Sequence, residues 1–464
     1  MEDASNTAID TPVPDWLRWS NLYEVNLRQY TPEGTFAAFR NHLPRLRDMG
    51  VDILWFMPVQ PVSRERRKGP MGSPYALSDY LATNPDFGSF EEFCQLVEEI
   101  HRLGMRVILD WVPNHTGWDH SWIREHPDWY IRGDSGKIID PVNPGTGKSW
   151  GWTDVAALDY GNPEMRQAMI DAMTYWVRES GIDGFRADVA HGVPVDFWEE
   201  CTRTLYAIRP LFMLAEAEDS ELVNSGYFTA DYGWDMHHLF NEIAKSLGGA
   251  AGGRQLDQGN IAASPVEDST ATADALEIDR QLSRQAERYR RGLKMYFTSN
   301  HDENAWAGTE FRRMGAAHLV FAVLAATLRG IPLVYSGQEA AMDRQLAFFE
   351  KDEISWGDYP YTDFYKALNE LRHRNRALWN TEGGGRVVKI PTGVDRWVYA
   401  FTRGFETDRV VVVLNLSTHP REAVLGGLGY SGEYKRIFGG QSGFLGPGDT
   451  LVLEPLEYRV YSNR

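Results

Sequence analysis

Ile182-Asp-Gly184-Phe-Arg186-Ala-Asp188 follows a helical pattern over 163–180 and ends in a carboxylate two residues after an arginine. Three further stretches have the same form, in a fixed order along the chain. They are Asp110-Trp-Val-Pro-Asn114-His115, Met213-Leu-Ala-Glu216 and Ser299-Asn-His301-Asp302. Each follows an apolar, β-prone run and delivers a carboxylate, or a carboxylate beside a histidine. Four such stretches in series describe strands that bring acids to a common rim.

Working outward, strand patterns fall at 22–26, 51–57, 105–110, 182–188, 211–216, 227–232, 294–299 and 331–335. Helical patterns alternate with them near 35–49, 89–103, 163–180, 195–207, 235–246, 273–291 and 312–328. Eight strands alternating with helices predict a (β/α)8 TIM barrel, whose buried parallel strands are apolar runs. Chemistry in such barrels sits at the C-terminal ends of strands, where Asp110, Asp188, Glu216 and Asp302 stand. A doubly wound open sheet is the alternative, but no glycine-rich phosphate loop follows the first strand.

The alternation breaks once, after residue 110. About fifty residues rich in Trp, Gly, Asp and Pro intervene there. The expected layout is a barrel over 1–110 and 162–383, an excursion over 111–161, and a C-terminal β domain over 384–464. A Gly/Ala/Ser-rich stretch at 248–272 reads as a loop or insertion. Past 384, Arg386-Val-Val-Lys-Ile, Val398-Tyr-Ala-Phe, 409–415 and Tyr458-Arg-Val-Tyr read as short strands of an antiparallel β-sandwich.

Composition narrows the partners. A net charge of -18 argues against nucleic acid and anionic membrane surfaces. It does not oppose a neutral substrate. Hydrophobic content of 43% is enough for a real core. No stretch reaches the roughly 18 apolar residues a spanning helix needs. The first residues, Met-Glu-Asp-Ala-Ser-Asn, lack a basic and then apolar leader. A cytoplasmic location is the expectation, although a trimmed secretory signal would leave the same sequence. Two cysteines, Cys94 and Cys201, are read as buried free thiols. The 16 Trp, 21 Tyr and 21 Phe can fill a core or stack on sugar rings.

Three acids at one rim suit glycosidic bond cleavage. Retention requires a carboxylate nucleophile and a carboxylic acid about 5–5.5 Å apart, and a third carboxylate steadies the cationic transition state. Arg186 and Asp188 lie at i and i+2 and so share a strand face, placing a cation beside the acid. This predicts an ionised Asp188.

These segments resemble those of glycoside hydrolase family 13, the α-amylase family, and the resemblance covers the chain from about residue 17 onward. It implies Asp188 as nucleophile and Glu216 as acid/base, with Glu218 the competing candidate two residues on. It implies Asp302 as the third acid, His301 and His115 as hydroxyl-binding histidines, and Asp110 and Asn114 as braces. Arg186 belongs to the same set. Tyr75, in Gly72-Ser-Pro-Tyr75, matches a stacking tyrosine. Gly337-Gln-Glu339 also fits, and Asp343 and Arg344 are candidates for a second sugar. Trp118, Trp122, Trp129, Trp150 and Trp152 crowd the excursion, where some are candidates for further subsites.

Several positions depart from the family pattern. His191 and Gly192 stand where many relatives have Lys-His. Leu158-Asp159-Tyr160 stands where relatives often have Leu-Asn. Val189 follows the nucleophile, as in relatives acting on α-1,6 bonds and some of mixed specificity. No cofactor is required by this reading. Calcium is possible, with Asn114 as a candidate ligand through its oxygen and Asp134, Asp140 and Asp154 nearby in sequence. The expected activity is retaining hydrolysis of mainly α-1,4 bonds in maltooligosaccharides or starch-type glucans. The alternatives are a glucanotransferase, a trehalose-forming isomerase and an α-1,6-acting glucosidase. A barrel that only binds sugar need not keep three acids. Chain-length preference and oligomeric state are not readable from sequence.

Overall fold

The computed structural model describes residues 12–143, 146–248 and 273–464. The first residues and the Gly/Ala/Ser-rich stretch at 249–272 lie outside the described residues.

Eight parallel strands close into a barrel: β1 (Leu22–Val25), β2 (Ile53–Phe56), β3 (Arg106–Trp111), β6 (Gly184–Ala187), β7 (Phe212–Ala215), β8 (Ala230–Tyr232), β9 (Leu293–Tyr296) and β10 (Ile331–Tyr335). β1 pairs with β10, which completes the ring. The two-residue period of the strands divides their side chains into two layers. Leu22, Ile53, Trp55, Ile108, Phe212, Leu214, Tyr232 and Leu333 form one cluster inside the barrel. Tyr23, Leu54, Val107, Leu109, Phe185, Met213 and Val334 belong to a second cluster, under the helices.

This alternation aims the chemistry. Glu24 continues the inward phase of Leu22, Asp110 that of Ile108, and Glu216 that of Phe212 and Leu214. The polar residues therefore come next in line above a packed apolar plug.

Local sequence explains the helix boundaries. Ser89 and Glu92 form a reciprocal capping box at the start of Phe90–Arg102. Asn162 caps Pro163–Glu179, with Pro163 in the first turn, where no donor is lost. The stretch expected as one helix at 35–49 is two, Phe36–Arg40 and Leu43–Asp48, with Pro44 in the first turn of the second. The stretch expected over 312–328 breaks at Gly315, where φ is +56°, into Glu310–Met314 and His318–Thr327. Thr362–Arg374 is a further helix that the alternation read above omits.

Between β3 and β6 the chain leaves the barrel and forms a small antiparallel pair, β4 (His115–Gly117) with β5 (Val155–Ala157). Its tryptophans mostly serve its own core. Trp122 meets Trp129 at 5.0 Å and Trp150 meets Trp152 at 4.6 Å between ring centroids. The Trp118 indole lies under the Arg66 guanidinium at 3.5 Å and donates to the Thr153 carbonyl.

The C-terminal part holds β11 (Arg386–Lys389), β12 (Val398–Phe405), β13 (Asp408–Asn415), β14 (Arg421–Val424), β15 (Gly432–Arg436), β16 (Ser442–Leu445), β17 (Thr450–Leu453) and β18 (Tyr458–Ser462). Six of these make one sheet, ordered β11-β12-β13-β18-β15-β16, and β14 pairs with β17. Val398, Ala400, Val411 and Val413 of the sheet pack on Ala423 and Leu453 of the pair. β14 to β17 are absent from the sequence expectation, being short and largely exposed. Both thiols are free; Cys201 is buried as expected, but Cys94 is only half-buried.

Candidate active site

Arg186 holds the centre of the rim. It is fully buried on β6. Its Nη1 donates to Asp110 Oδ1 and to Asp188 Oδ1, both at 2.8 Å. Its Nη2 lies 2.8 Å from Glu216 Oε1 in an ion contact. Its Nε donates to the Tyr232 hydroxyl at 3.1 Å. One guanidinium thus joins carboxyls at the ends of β3, β6 and β7.

Asp302 enters through a second chain of contacts. It lies 3.1 Å from His301 Nε2. The same nitrogen is 2.7 Å from the Tyr75 hydroxyl, which donates to Asp110 Oδ2 at 3.0 Å. The other ring nitrogen of His301 is 2.5 Å from Glu24 Oε1. With Tyr75 donating to Asp110, Nε2 of His301 donates to the Tyr75 oxygen, and with Glu24 ionised Nδ1 donates as well, which makes His301 an imidazolium. Asp302 and Glu24, working against burial, raise its pKa well above the usual histidine range.

The acids respond differently to this setting. Burial pushes Glu216 up to about 7, with Arg186 pulling down and Asp188 and Asp302 pushing up. Burial also pushes Asp188 up to about 6, and Asp110 adds to it against Arg186. The Arg186 cation is shared among three carboxyls, so it holds the Asp188 pKa down against burial without cancelling it. His301 lowers Asp302 below the usual range, overcoming the effect of burial. The side chains of Asp188, Glu216 and Asp302 keep 10%, 17% and 21% of their surface exposed, which leaves them open to a ligand.

Glu216 is also held by backbone. The Val189 N–H donates to Glu216 Oε2 at 2.7 Å. Val189 adopts φ +45° and ψ +44°, a left-handed conformation that is costly for a β-branched residue. The turn after Asp188 thus accepts strain and aims one N–H at the neighbouring acid. Glu218 points elsewhere. It accepts from Asp235 N at 2.8 Å and contacts Lys294 at 3.4 Å.

Tyr75 is buried, stacked on His301 at 5.4 Å between centroids and lying parallel to Phe348 at 6.3 Å. His115 is buried beside Trp152, and burial lowers it to about 4, so it is neutral. Asp343 and Arg344 are tied to other residues, Asp343 accepting from Thr309 and Arg344 pairing with Asp352. Glu339 is buried between Tyr23 at 2.6 Å and Arg45 at 2.8 Å. His191 is exposed, with Nδ1 at 3.4 Å from the Glu216 carbonyl.

Three residues of the site were not anticipated: Glu24, Trp55, whose indole donates to Asp110 Oδ2 at 3.2 Å, and Tyr232. For Glu24 the signal was present, a lone carboxylate inside an apolar strand.

The calcium expectation meets no carboxylate cage. Among the described residues no three His, Cys, Asp or Glu side chains gather as metal ligands. Asp154 pairs with Lys68 at 2.7 Å, Asp140 accepts from Ser149, and the Asn114 amide nitrogen faces His115.

A closed barrel with three acids at its C-terminal rim defines the class of barrel glycosidases. The family described as alpha amylase, catalytic domain, matches residues 5–383, and the chain belongs to that family. Among curated relatives, the alpha-1,4-glucan:maltose-1-phosphate maltosyltransferase of Rhodospirillum rubrum is 33% identical over 234 residues, 46% of this chain and 33% of that protein. Neopullulanase 2 of Thermoactinomyces vulgaris is 29% identical over 406 residues, 82% of this chain and 62% of its own length. This chain thus spans from one third to about three fifths of these relatives. An α-amylase structure from Lactobacillus plantarum superimposes with TM-score 0.79 at 26% identity, covering 97% of this chain and all of the other. Among the described residues no helix is long and apolar enough to cross a membrane.

Proposed function

We propose that this glycosidase is a retaining α-glucan hydrolase. It cleaves mainly α-1,4-glucosidic bonds of maltooligosaccharides or starch-type glucans through a glycosyl-aspartate intermediate. The supporting observation is the Arg186 guanidinium, which contacts Asp188 and Glu216 together at 2.8 Å from two adjacent strands. Asp188, with the lower pKa, carries the charge and attacks the anomeric carbon. Glu216, pushed up to about 7, carries the proton that the departing glycosidic oxygen takes. Glu216 then accepts a proton from water as that water displaces Asp188. Asp302, ionised beside His301, and the His301 imidazolium bind hydroxyls of the reacting ring. Calcium stands outside this proposal.

The test compares Asp188→Asn, Glu216→Gln and Glu218→Gln on maltotriose. The first two should lose at least about 10²–10⁴-fold in kcat, while the third keeps most activity. Loss in Glu218→Gln with activity retained in Glu216→Gln would reverse the assignment. A second reading, glycosyl transfer, draws on the maltosyltransferase relative. It predicts products longer than maltotriose, whereas hydrolysis predicts only shorter ones.

A further inference from the structure

A cleft of about 820 Å³ opens at the opposite pole of the barrel from the acids. That volume lies within the roughly 300–1,000 Å³ range of small-molecule pockets. Its walls come from the N-terminal side of the strands. Arg18 precedes β1, Arg290 and Arg291 precede β9, and Arg329 precedes β10, while Arg376 and Trp379 close the far side. Among the described residues, five arginines line the cleft against one carboxylate, Glu382. The chain as a whole has the reverse balance, 65 acidic against 47 basic residues.

Arginines scattered over a surface are ordinarily a solvated face. These five share one concave wall, and their charges are only partly matched. Arg18 pairs with Asp15 at 2.8 Å and Arg376 with Glu406 at 3.1 Å. Among the described residues, Arg290 and Arg329 have no carboxylate within ion-pair reach.

Two more cations back the wall. Arg403 and Arg372 are buried. Arg403 donates to the carbonyls of Leu328 at 2.8 Å, Trp379 at 2.9 Å and Gly385 at 2.9 Å. Arg372 donates to the carbonyls of Leu378 at 2.8 Å and Gly330 at 3.0 Å, and to Asn380 Oδ1 at 2.6 Å. Among the described residues neither has a carboxylate in contact. Carbonyls at the end of helix His318–Thr327 offset about half a unit charge, well short of two. Low-dielectric walls then focus a positive potential into the cleft.

We propose that this cleft binds a phosphorylated sugar. Guanidinium forks match phosphate oxygens in geometry and charge. The half-buried Trp379 and Tyr289 rings line the cleft, with Arg376 over Trp379 at 5.3 Å and Lys294 over Tyr289 at 3.5 Å, so a sugar would meet their opposite faces; the Trp379 indole N–H is buried without a partner. Free inorganic phosphate shares the anion chemistry, so the test separates the two.

Titration calorimetry on the full chain, at about 0.15 M salt, compares glucose 6-phosphate, inorganic phosphate and maltose. Saturable heat is expected for glucose 6-phosphate, with weaker binding of phosphate. An Arg290→Gln/Arg329→Gln double variant should cleave maltotriose normally and bind glucose 6-phosphate at least about tenfold more weakly. No saturable heat from either anion, or undiminished binding in the double variant, would overturn the proposal. Displacement of the phosphate ester by excess maltose would place it in the catalytic cleft and also overturn it. Phosphate binding as tightly as its sugar ester would remove the sugar from the assignment.

Discussion

Replacing Arg186 with methionine tests the electrostatic centre of the molecule. The variant keeps the length of the side chain but removes the cation. Asp110, Asp188 and Glu216 each lose a contact of 2.8 Å. Breaking one buried ion pair costs roughly 3–5 kcal/mol, because the partner stays buried without its counter-charge. Here three carboxyls share one cation and escape part of the penalty by taking up protons, so about 3–5 kcal/mol is expected for the whole set near pH 8.

The sign with pH follows from the raised pKa values. A carboxyl raised in the fold keeps its stabilising contribution below the unfolded pKa of about 4. It loses that contribution as pH rises through the folded value, about 6 for Asp188 and about 7 for Glu216. Without Arg186 those folded values rise further, and the loss deepens at about 1.4 kcal/mol for each unit of added shift. The gap between wild type and variant is therefore widest near pH 8 and narrows toward about pH 5. Urea unfolding followed by tryptophan fluorescence at both pH values measures it. A gap below about 1 kcal/mol near pH 8, or the same gap at both pH values, would refute the argument that Arg186 carries the charge balance.

Other predictions follow from single contacts. Glu24→Gln removes a negative charge 2.5 Å from His301, so the His301 pKa should fall by about 1–3 units and the basic limb of kcat/KM should move to lower pH. Nitrogen NMR of the imidazole checks this, and an unchanged titration would count against it. Gly184→Ala would set a Cβ 1.8 Å from the Phe212 carbonyl oxygen of the next strand; a cost of about 3 kcal/mol or failure to fold is expected, and a variant with wild-type stability would contradict the tight β6–β7 approach. In the native protein a thiol reagent should label Cys94 slowly and leave Cys201 unreacted until denaturant is added. Native labelling of Cys201 would show that its packing against Met173 opens readily.

The barrel was readable because most of its strands are apolar runs, and β3, β6 and β7 carry or lead directly into charged outliers. Asp110, Arg186, Asp188 and Glu216 stand out in such runs. The two-residue period then predicts that they look inward, which is where the structure places them. Glu24 carried the same signal but was missed, because its strand does not end in a recognisable cluster. Trp55 and Tyr232 gave no signal, since an aromatic in a strand is ordinarily core, and only the fold shows that their polar atoms reach Asp110 and Arg186. The choice between Glu216 and Glu218 was beyond the two-residue period, because both lie in phase. Tertiary contacts decide their directions: Val189 N–H and Arg186 take Glu216, while Lys294 and Asp235 N take Glu218. The four missed C-terminal strands are short segments stabilised by pairing rather than by an apolar sequence pattern, as exposed Val424, Phe444 and Val452 illustrate.

The contacts of Arg186 bear on the proposed reaction in a further way. When the glycosyl-aspartate bond forms, Asp188 changes from carboxylate to neutral ester. In the same step Glu216 gives up its proton and becomes a carboxylate. The total charge of the pair around Arg186 is the same before and after. A guanidinium that contacts both at 2.8 Å can remain in place while the negative charge crosses from one oxygen set to the other. A fixed, buried cation already aimed at both ends of that transfer needs no reorganisation when it occurs. The same placement explains why the acid needs a second holder. As charge leaves Glu216 in the reverse half of the cycle, its hold on Arg186 weakens. The strained Val189 turn still offers an N–H at 2.7 Å to keep the carboxyl pointed at the oxygen it must serve.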